Sequence, residues 1–186
     1  MKKITLSAAF VLLLSAIAFV GCSEDNTPLD TESASAAASN PSSSMFMRGS
    51  LWAGEVGQYD ELTNTYVITG DKEGYKEAFM FVLRDQGYED VVIESLEILE
   101  KTSFNDPDDK GYMLVASDNK GTSIGVNLDR RSLSLVMEDP NAVSYTTCRG
   151  CATGCNLQFI TVNGKKVPFC NENGCVYDCE KSETAG

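Results

Sequence analysis

Six of the seven cysteines in this chain crowd into its last fifth, and their chemistry is the strongest functional signal in the sequence. Thiols at such close spacing can form disulfides, bind a metal ion as thiolates or act as a redox pair. The clustered residues are Cys148, Cys151, Cys155, Cys170, Cys175 and Cys179. A set of disulfides persists only in oxidising surroundings, so the cluster predicts three bridges and a location outside the cytoplasm.

A zinc site is the main alternative use of the cluster. Cys148 and Cys151 form a CxxC step, and Cys175 and Cys179 lie beyond the intervening run, so these four thiolates could close a tetrahedral zinc site. The spacing departs from that of ferredoxin-type iron–sulfur proteins. A redox-active Cys148–Cys151 pair would need a helix N-terminus to lower the thiol pKa, and no helical pattern follows Cys151. An exported chain meets oxidants before free metal, which favours disulfides and no cofactor.

An Asn-Gly pair between the two cysteine triplets predicts how they meet. Asn163-Gly164 is typical of a two-residue type I′ turn, in which both residues take positive φ. With this turn, Leu157 opposes Cys170, and the triplets come together at the base of a β-hairpin. We expect a bridge between Cys155 and Cys170, with the other four cysteines pairing mainly across the hairpin. Sequence alone does not choose among the possible pairings.

The N-terminal residues carry an export signal and an acylation motif. Met1-Lys2-Lys3 is a cationic start, and the uncharged apolar run from Ile4 to Phe19 is short for a transmembrane helix. Phe19-Val20-Gly21-Cys22 resembles the lipobox of bacterial lipoproteins, in which the cysteine is lipidated and becomes the mature N-terminus, although Leu is usual at the position of Phe19. We expect a signal peptide over 1–21 and lipidation at Cys22, and the alternative is an ordinary signal peptide followed by an incidental cysteine.

The anchor also predicts a location. Diacylglycerol on the cysteine and a fatty acid such as palmitate on its amine would bind a bilayer stably, where a single acyl chain is marginal. Ser23-Glu24-Asp25 resembles the acidic tag that sends some lipoproteins to the outer face of the Gram-negative outer membrane. We therefore expect a lipid anchor in the cell outer membrane with the chain facing outward, and a periplasm-facing chain is the alternative. Residues 22–48, rich in Ser and Ala, are expected to be a flexible tether.

Composition excludes several classes of function. The formal net charge of −12 repels phosphate backbones, so nucleic acid is not an expected partner. The chain has no histidine, which removes His-containing catalytic triads and most catalytic zinc sites. Ser117 and Lys120 match the SxxK pattern of serine acyl-enzymes, but they fall in a predicted hairpin turn. We predict that the protein is not an enzyme.

An acidic segment before Gly111 resembles part of a calcium-binding loop. Asp106, Asp108 and Asp109 supply carboxylates, but Lys110 occupies a position where an EF-hand requires an oxygen ligand. The segment is therefore expected to be an acidic, solvated turn around Pro107.

One helix is predicted between the tether and the cysteines. It spans residues 71–86, because Asp71 can cap its start and Gly87 can end it. Its apolar stripe, at helical spacing, is Tyr75, Ala78, Phe79, Val82 and Leu83. The residues Phe79, Phe81 and Leu83 also alternate, as they would in a strand.

Alternating apolar residues over 112–116, 122–128 and 133–137 predict an antiparallel meander with one buried face. Residues 91–101 suit either a helix or a strand, and we expect a strand because the segments that follow are β. Trp52 is expected to pack along the edge of this sheet, with ligand stacking as the alternative.

Together these patterns predict an α+β fold, namely a small antiparallel sheet with one packed helix over residues 49–147. A disulfide-stapled hairpin over 148–181 packs on the same domain, and residues 182–186 form a disordered tail.

The order of these segments resembles that of a group of small, uncharacterised bacterial lipoproteins with Cys-rich C-terminal tails. The resemblance follows the lipobox, the tether, the meander around Tyr112–Val115 and Ser123–Val126, and the C-terminal cysteines. It implies the architecture and brings no assigned activity.

The expected function is non-catalytic. The chain would be a surface lipoprotein that binds a protein, glycan or small ligand outside the cell, or that contributes to envelope structure. One alternative is a metal-binding or redox protein that uses the six cysteines. Another is an inhibitor of secreted hydrolases, for which rigid cross-linked loops such as residues 171–174 would be suited.

Overall fold

Ten strands and one helix make up the part of the chain that this computed structural model describes, residues 51–152, 154–175 and 179–186. The helix is α1 (Lys72–Asp85). The strands are β1 (Glu55–Asp60), β2 (Thr65–Ile68), β3 (Ser95–Ser103), β4 (Asp106–Ser117), β5 (Thr122–Arg131), β6 (Ser134–Val136), β7 (Ser144–Arg149), β8 (Asn156–Val162), β9 (Lys165–Asn171) and β10 (Glu180–Ala185). The predicted signal peptide, the predicted lipidation site Cys22 and the whole predicted tether, residues 22–48, lie outside the described residues.

Eight of the described strands form one antiparallel sheet that is nearly closed. The order β3-β4-β5-β6-β1-β2 runs around it, and β2 lies against β3 without backbone pairing between them. Along one edge of β5, the first half of the strand pairs with β7 and the second half pairs with β6. Strand β10 pairs with β7, so β7 and β10 extend the sheet to one side. The predicted meander is present as β4, β5 and β6, but it is part of a larger and more strand-rich sheet than expected.

Helix α1 forms where its apolar stripe and its caps predict it. The backbone N–H of Gly74 donates to Asp71 Oδ1 at 3.0 Å, and Gly87 follows the helix at a φ of 85°. The stripe is buried in the main core together with the inward-facing aliphatic side chains of the sheet. Phe79 is fully buried, whereas Phe81 is 47% exposed, as helical geometry requires.

Trp52 lies inside the main core and not along the sheet edge where we expected it. Its side chain is 1% exposed and stacks on Tyr75, with ring centroids 4.7 Å apart. Its indole N–H donates to the Tyr145 hydroxyl at 3.1 Å. The strand that carries Tyr145, β7, was not predicted, and together with α1 it encloses the indole. A buried indole has no open face for ligand stacking.

The hairpin of β8 and β9 covers the opposite face of the sheet. It has the predicted register, since Leu157 opposes Cys170, and Asn163 and Gly164 take φ values of 52° and 76°. Leu157 and Phe159 pack with Met113 on β4 in a second core. Strand β4 is therefore buried on both faces, which explains why residues 113–116 are an unbroken apolar run.

Three segments differ from the prediction. Of residues 182–186, expected to be a disordered tail, 182–185 pair with β7 as most of β10, and the Gly186 N–H donates to the Val143 carbonyl. This pairing satisfies backbone groups of an edge that would otherwise be open. Residues 129–131, expected to separate two strands, continue β5, and the turn falls at Ser132 with a φ of 62°. The acidic segment around Pro107, expected to be a turn, is the start of β4, because the turn that precedes β4 falls at Phe104 and Asn105.

Candidate functional site

At one end of the nearly closed sheet, the inward-facing side chains change from aliphatic to aromatic and charged. Side chains alternate between the two faces of a strand, so the series that buries Ile98 on β3 and Leu128 on β5 continues outward to Glu100 and Arg130. Five strands contribute one such residue each. We call this set the mouth cluster: Tyr59 from β1, Tyr66 from β2, Glu100 from β3, Tyr112 from β4 and Arg130 from β5.

The three tyrosines of the mouth cluster form a row of touching rings. The ring centroids of Tyr59 and Tyr66 are 5.1 Å apart, and those of Tyr66 and Tyr112 are 4.9 Å apart. The guanidinium carbon of Arg130 lies 5.8 Å from the centroids of both Tyr59 and Tyr112. This distance is within the range of a cation–π interaction. The arginine therefore lies beside an aromatic surface built from three strands.

Hydrogen bonds hold the polar groups of the mouth cluster in place. Arg130 Nη1 donates to the hydroxyls of Tyr112 at 3.1 Å and Tyr66 at 3.4 Å, and the Tyr66 hydroxyl donates to Glu100 Oε2 at 3.0 Å. Lys110 pairs with Glu100 at 2.6 Å. Side chains that fix one another in this way lose little further freedom when a ligand binds.

The protonation states in the mouth cluster follow from these contacts. The hydrogen bond from Lys110 holds the pKa of Glu100 below its ordinary value, and the same contact raises the pKa of Lys110. Burial, with the neighbouring Tyr112 hydroxyl, raises the pKa of Tyr66 well above that of a free tyrosine, so its phenol stays protonated. Hydrogen bonding to Tyr112 raises the pKa of Arg130. At neutral pH the Glu100 and Lys110 charges cancel, and Arg130 remains a cation.

Four members of the mouth cluster line a groove of about 600 Å³, and Tyr112 contacts Tyr66 and Arg130 from outside this lining. The rest of the wall comes from the start of β2 and from β3 and β4: Asn64, Thr65, Ile98, Leu99 and Lys110. Grooves of this size, with aromatic surface and a few convergent polar groups, are typical of ligand sites. The arrangement offers ring faces for stacking, amide and hydroxyl groups for hydrogen bonds, and one positive charge.

The six clustered cysteines form three disulfides in the structure, as the sequence predicts. The pairs are Cys148–Cys170, Cys151–Cys175 and Cys155–Cys179, so every bridge joins the first triplet to the second. The expected Cys155–Cys170 bridge is wrong. Cys155 has a φ of 58°, so the backbone is not extended at this residue just before β8. Cys170 faces β7: its Sγ lies 3.7 Å from the Thr147 carbonyl oxygen and is bonded to Cys148.

The sulfur atoms that converge are not the set expected for the alternative zinc site. Cys148, Cys151, Cys175 and Cys179 are divided among three bridges. Within the described ranges, the Sγ atoms of Cys155, Cys170 and Cys179 instead all lie within 4.8 Å of one another.

The weaker motifs take structural positions. Ser117 Oγ donates to the Thr122 carbonyl, and Lys120 pairs with Glu94 at 3.4 Å, so this serine and lysine are engaged elsewhere and do not contact each other. Of the three aspartates in the acidic segment, Asp109 accepts a hydrogen bond from Thr161 and forms an ion pair with Lys166. These two contacts connect the hairpin to β4.

Comparisons with known proteins return no relative. No protein-family model, no curated protein and no solved structure matches the chain. Within the part of the chain that the structure describes, no helix has both the length and the apolarity needed to span a bilayer.

The mouth cluster was not predicted from the sequence. A signal was present, because Ile124, Val126, Leu128 and Arg130 share one face of β5, and Leu96, Ile98 and Glu100 share one face of β3. A charged residue at the end of a buried series marks the rim of a core, but only the sheet order shows that several rims meet.

Proposed function

We propose that this chain is a lipid-anchored, non-catalytic binding protein of the bacterial envelope and that the groove at the mouth cluster takes its ligand. Anchoring at Cys22 in the outer membrane, with the chain facing outward, follows from the lipobox and the acidic residues behind it. The three disulfides support an oxidising location. The single observation that carries the binding role is the row of Tyr59, Tyr66 and Tyr112 with Arg130 beside it.

A binding role is favoured over a purely structural one in the envelope because the mouth cluster keeps aromatic and charged groups at solvent. A protein that served only as a spacer would gain nothing from three partly exposed tyrosine rings held on three strands. Placing such groups on rigid strands, where mutual hydrogen bonds orient them, is how binding sites reduce the entropy lost on association.

The anchor is tested by replacing the lipidated cysteine. In cells that export the protein, we expect Cys22→Ala to abolish incorporation of a labelled fatty acid and to move the chain from the membrane to the soluble fraction. The control is Ser23→Ala, which leaves the sulfur in place and should keep the protein on the membrane. A wild-type chain that carries no acyl chains would contradict the proposed anchor. Protease treatment of intact cells then reports whether the chain faces outward.

The groove is tested by removing its central ring. Thermal unfolding in the presence of a library of soluble saccharides, peptides and small molecules should identify ligands that raise Tm. We expect Tyr66→Ala to remove at least about tenfold in affinity for such a ligand, because stacked rings contribute roughly 1 kcal/mol or more beyond their buried area. Phe104→Ala is the matched control, since this ring is 67% exposed and lies outside the groove lining. Equal losses in the two variants would place the binding site elsewhere.

A second candidate, a metal-binding or redox role for the cysteines, is favoured by the convergence of the Cys155, Cys170 and Cys179 sulfurs. Disulfide-bonded sulfur is a poor metal ligand, so this role requires that the bridges be reduced in the cell. Intact mass together with a metal assay on protein purified without reductant separates the two candidates.

A further inference from the structure

We infer that the ligand of the groove is an acidic saccharide, a chain of sugar rings that carries carboxylate or sulfate groups. This inference rests on the proposed binding function and adds to it the chemical class of the ligand. Two independent features of the groove support it: an unmatched positive charge and a wall suited to sugar rings.

The unmatched charge is that of Arg130. Among the described residues, no carboxylate forms an ion pair with it, whereas Lys110 is matched by Glu100. Arg130 Nε donates to the Ser132 carbonyl at 2.8 Å and Nη1 to the tyrosine hydroxyls, which fixes the plane of the guanidinium. Within the described ranges, Nη2 makes no hydrogen bond, and the side chain is exposed. A fixed guanidinium with free donors binds carboxylate and sulfate oxygens strongly.

The charge of the whole chain makes this position distinctive. With a formal net charge of −12, the protein as a whole repels anionic ligands. A locally cationic groove on such a surface therefore selects for an anion at one place. A neutral ligand would be bound equally well without an arginine whose charge is left uncompensated.

The wall of the groove is suited to a sugar ring. A sugar has apolar C–H faces and a rim of hydroxyls, so it needs an aromatic surface flanked by both donors and acceptors. The rings of Tyr59 and Tyr66 supply the surface, and the ring of Tyr112 packs on Tyr66 from outside the groove lining. Asn64 accepts a hydrogen bond from Tyr59 through Oδ1, which turns its amide N–H groups toward other partners, and Thr65 adds a hydroxyl.

An acidic peptide would also satisfy the arginine, but the backbone at the groove disfavours it. An extended peptide gains most of its affinity by adding a strand to an open sheet edge. The unpaired edges here belong to β2, which is four residues long, and to β3, and the two strands already lie against each other. An added strand would have to separate them, so the groove offers a ligand mainly side chains, as recognition of a sugar requires.

The test compares matched ligands on the purified, disulfide-intact chain by titration calorimetry. The ligands are tetramers of uronic acids and of sulfated sugars, each with its neutral counterpart, and a tetrapeptide of glutamate. We expect at least one acidic tetramer to bind about tenfold or more tightly than its neutral counterpart at low salt, and the preference to shrink as salt screens the charge. Arg130→Gln should remove the preference. Arg131→Gln, the same change of charge at an exposed residue on the other face of β5, should keep it.

Each of the other outcomes contradicts one stated part of the inference or the binding function itself. Equal or tighter binding of the neutral tetramers, or loss of the preference in Arg131→Gln as well, overturns the acidic part of the inference while the binding function stands. Tighter binding of the glutamate peptide overturns the saccharide part. If no ligand of any class binds, either here or in the thermal-unfolding screen, the proposed binding function fails with it. Thermal unfolding of each variant confirms that it is folded.

Discussion

Reduction of the three disulfides should remove most of the stability of this protein and add six hydrogens to its mass, two for each bridge. Each bridge closes a loop of 22 or 24 residues, and bridges of this kind typically stabilise a fold by about 2 to 4 kcal/mol. Three of them amount to about 6 to 12 kcal/mol, against a typical total of about 5 to 15 kcal/mol for one domain. Urea unfolding with and without reductant, read beside intact mass, measures both effects.

A single bridge provides the matched comparison. The double variant Cys148→Ala/Cys170→Ala should lose about 2 to 4 kcal/mol and gain four hydrogens on reduction instead of six. A wild-type mass that reduction does not change would mean that the six thiols are free. If stoichiometric zinc or iron accompanied those free thiols, the metal-binding candidate would replace the disulfide assignment.

Phe79→Ala should lower the free energy of unfolding by about 3 to 5 kcal/mol, the usual result of deleting a buried aromatic ring. The ring is fully buried between the Trp52 and Tyr145 rings, at centroid distances of 6.1 and 5.9 Å. Its removal leaves a cavity that the surrounding rigid rings cannot close. Urea unfolding of the oxidised protein measures the loss.

The control for this prediction is the same substitution two residues along the helix. Phe81 is 47% exposed, so Phe81→Ala should cost less than about 1 kcal/mol. The pair also tests the helix itself, because in a strand both rings would face the same way. Equal losses for the two variants would contradict the helical geometry of α1.

The local sequence predicts the register of the β8–β9 hairpin but not the partner of each cysteine. The hairpin register was predictable because the Asn163-Gly164 turn sets every pairing between β8 and β9. The partner of Cys170 was not, because it lies on β7, a strand more than twenty residues away in sequence that packs against the hairpin. A bridge depends on which strands stack, and the hairpin alone contains no information about the sheet beneath it.

The mouth cluster was unpredictable for a related reason. The sequence around each of its members is that of an ordinary strand end. Only the strand order β3-β4-β5-β6-β1-β2 brings Tyr66 beside Tyr112 and Arg130. By contrast, all six disulfide cysteines were identified from residue type and spacing, since thiol chemistry at that density has few outcomes.

The sequence by itself determined the local features of this protein: the capped helix, the meander strands, the hairpin with its register and the oxidation of the clustered cysteines. Each rests on contacts between residues close along the chain or on the chemistry of one residue type. Only the tertiary structure decided the near closure of the sheet, the pairing of the cysteines, the burial of Trp52 and the groove. These depend on long-range strand pairing and packing, in which many weak contacts compete and no single residue pattern selects the result.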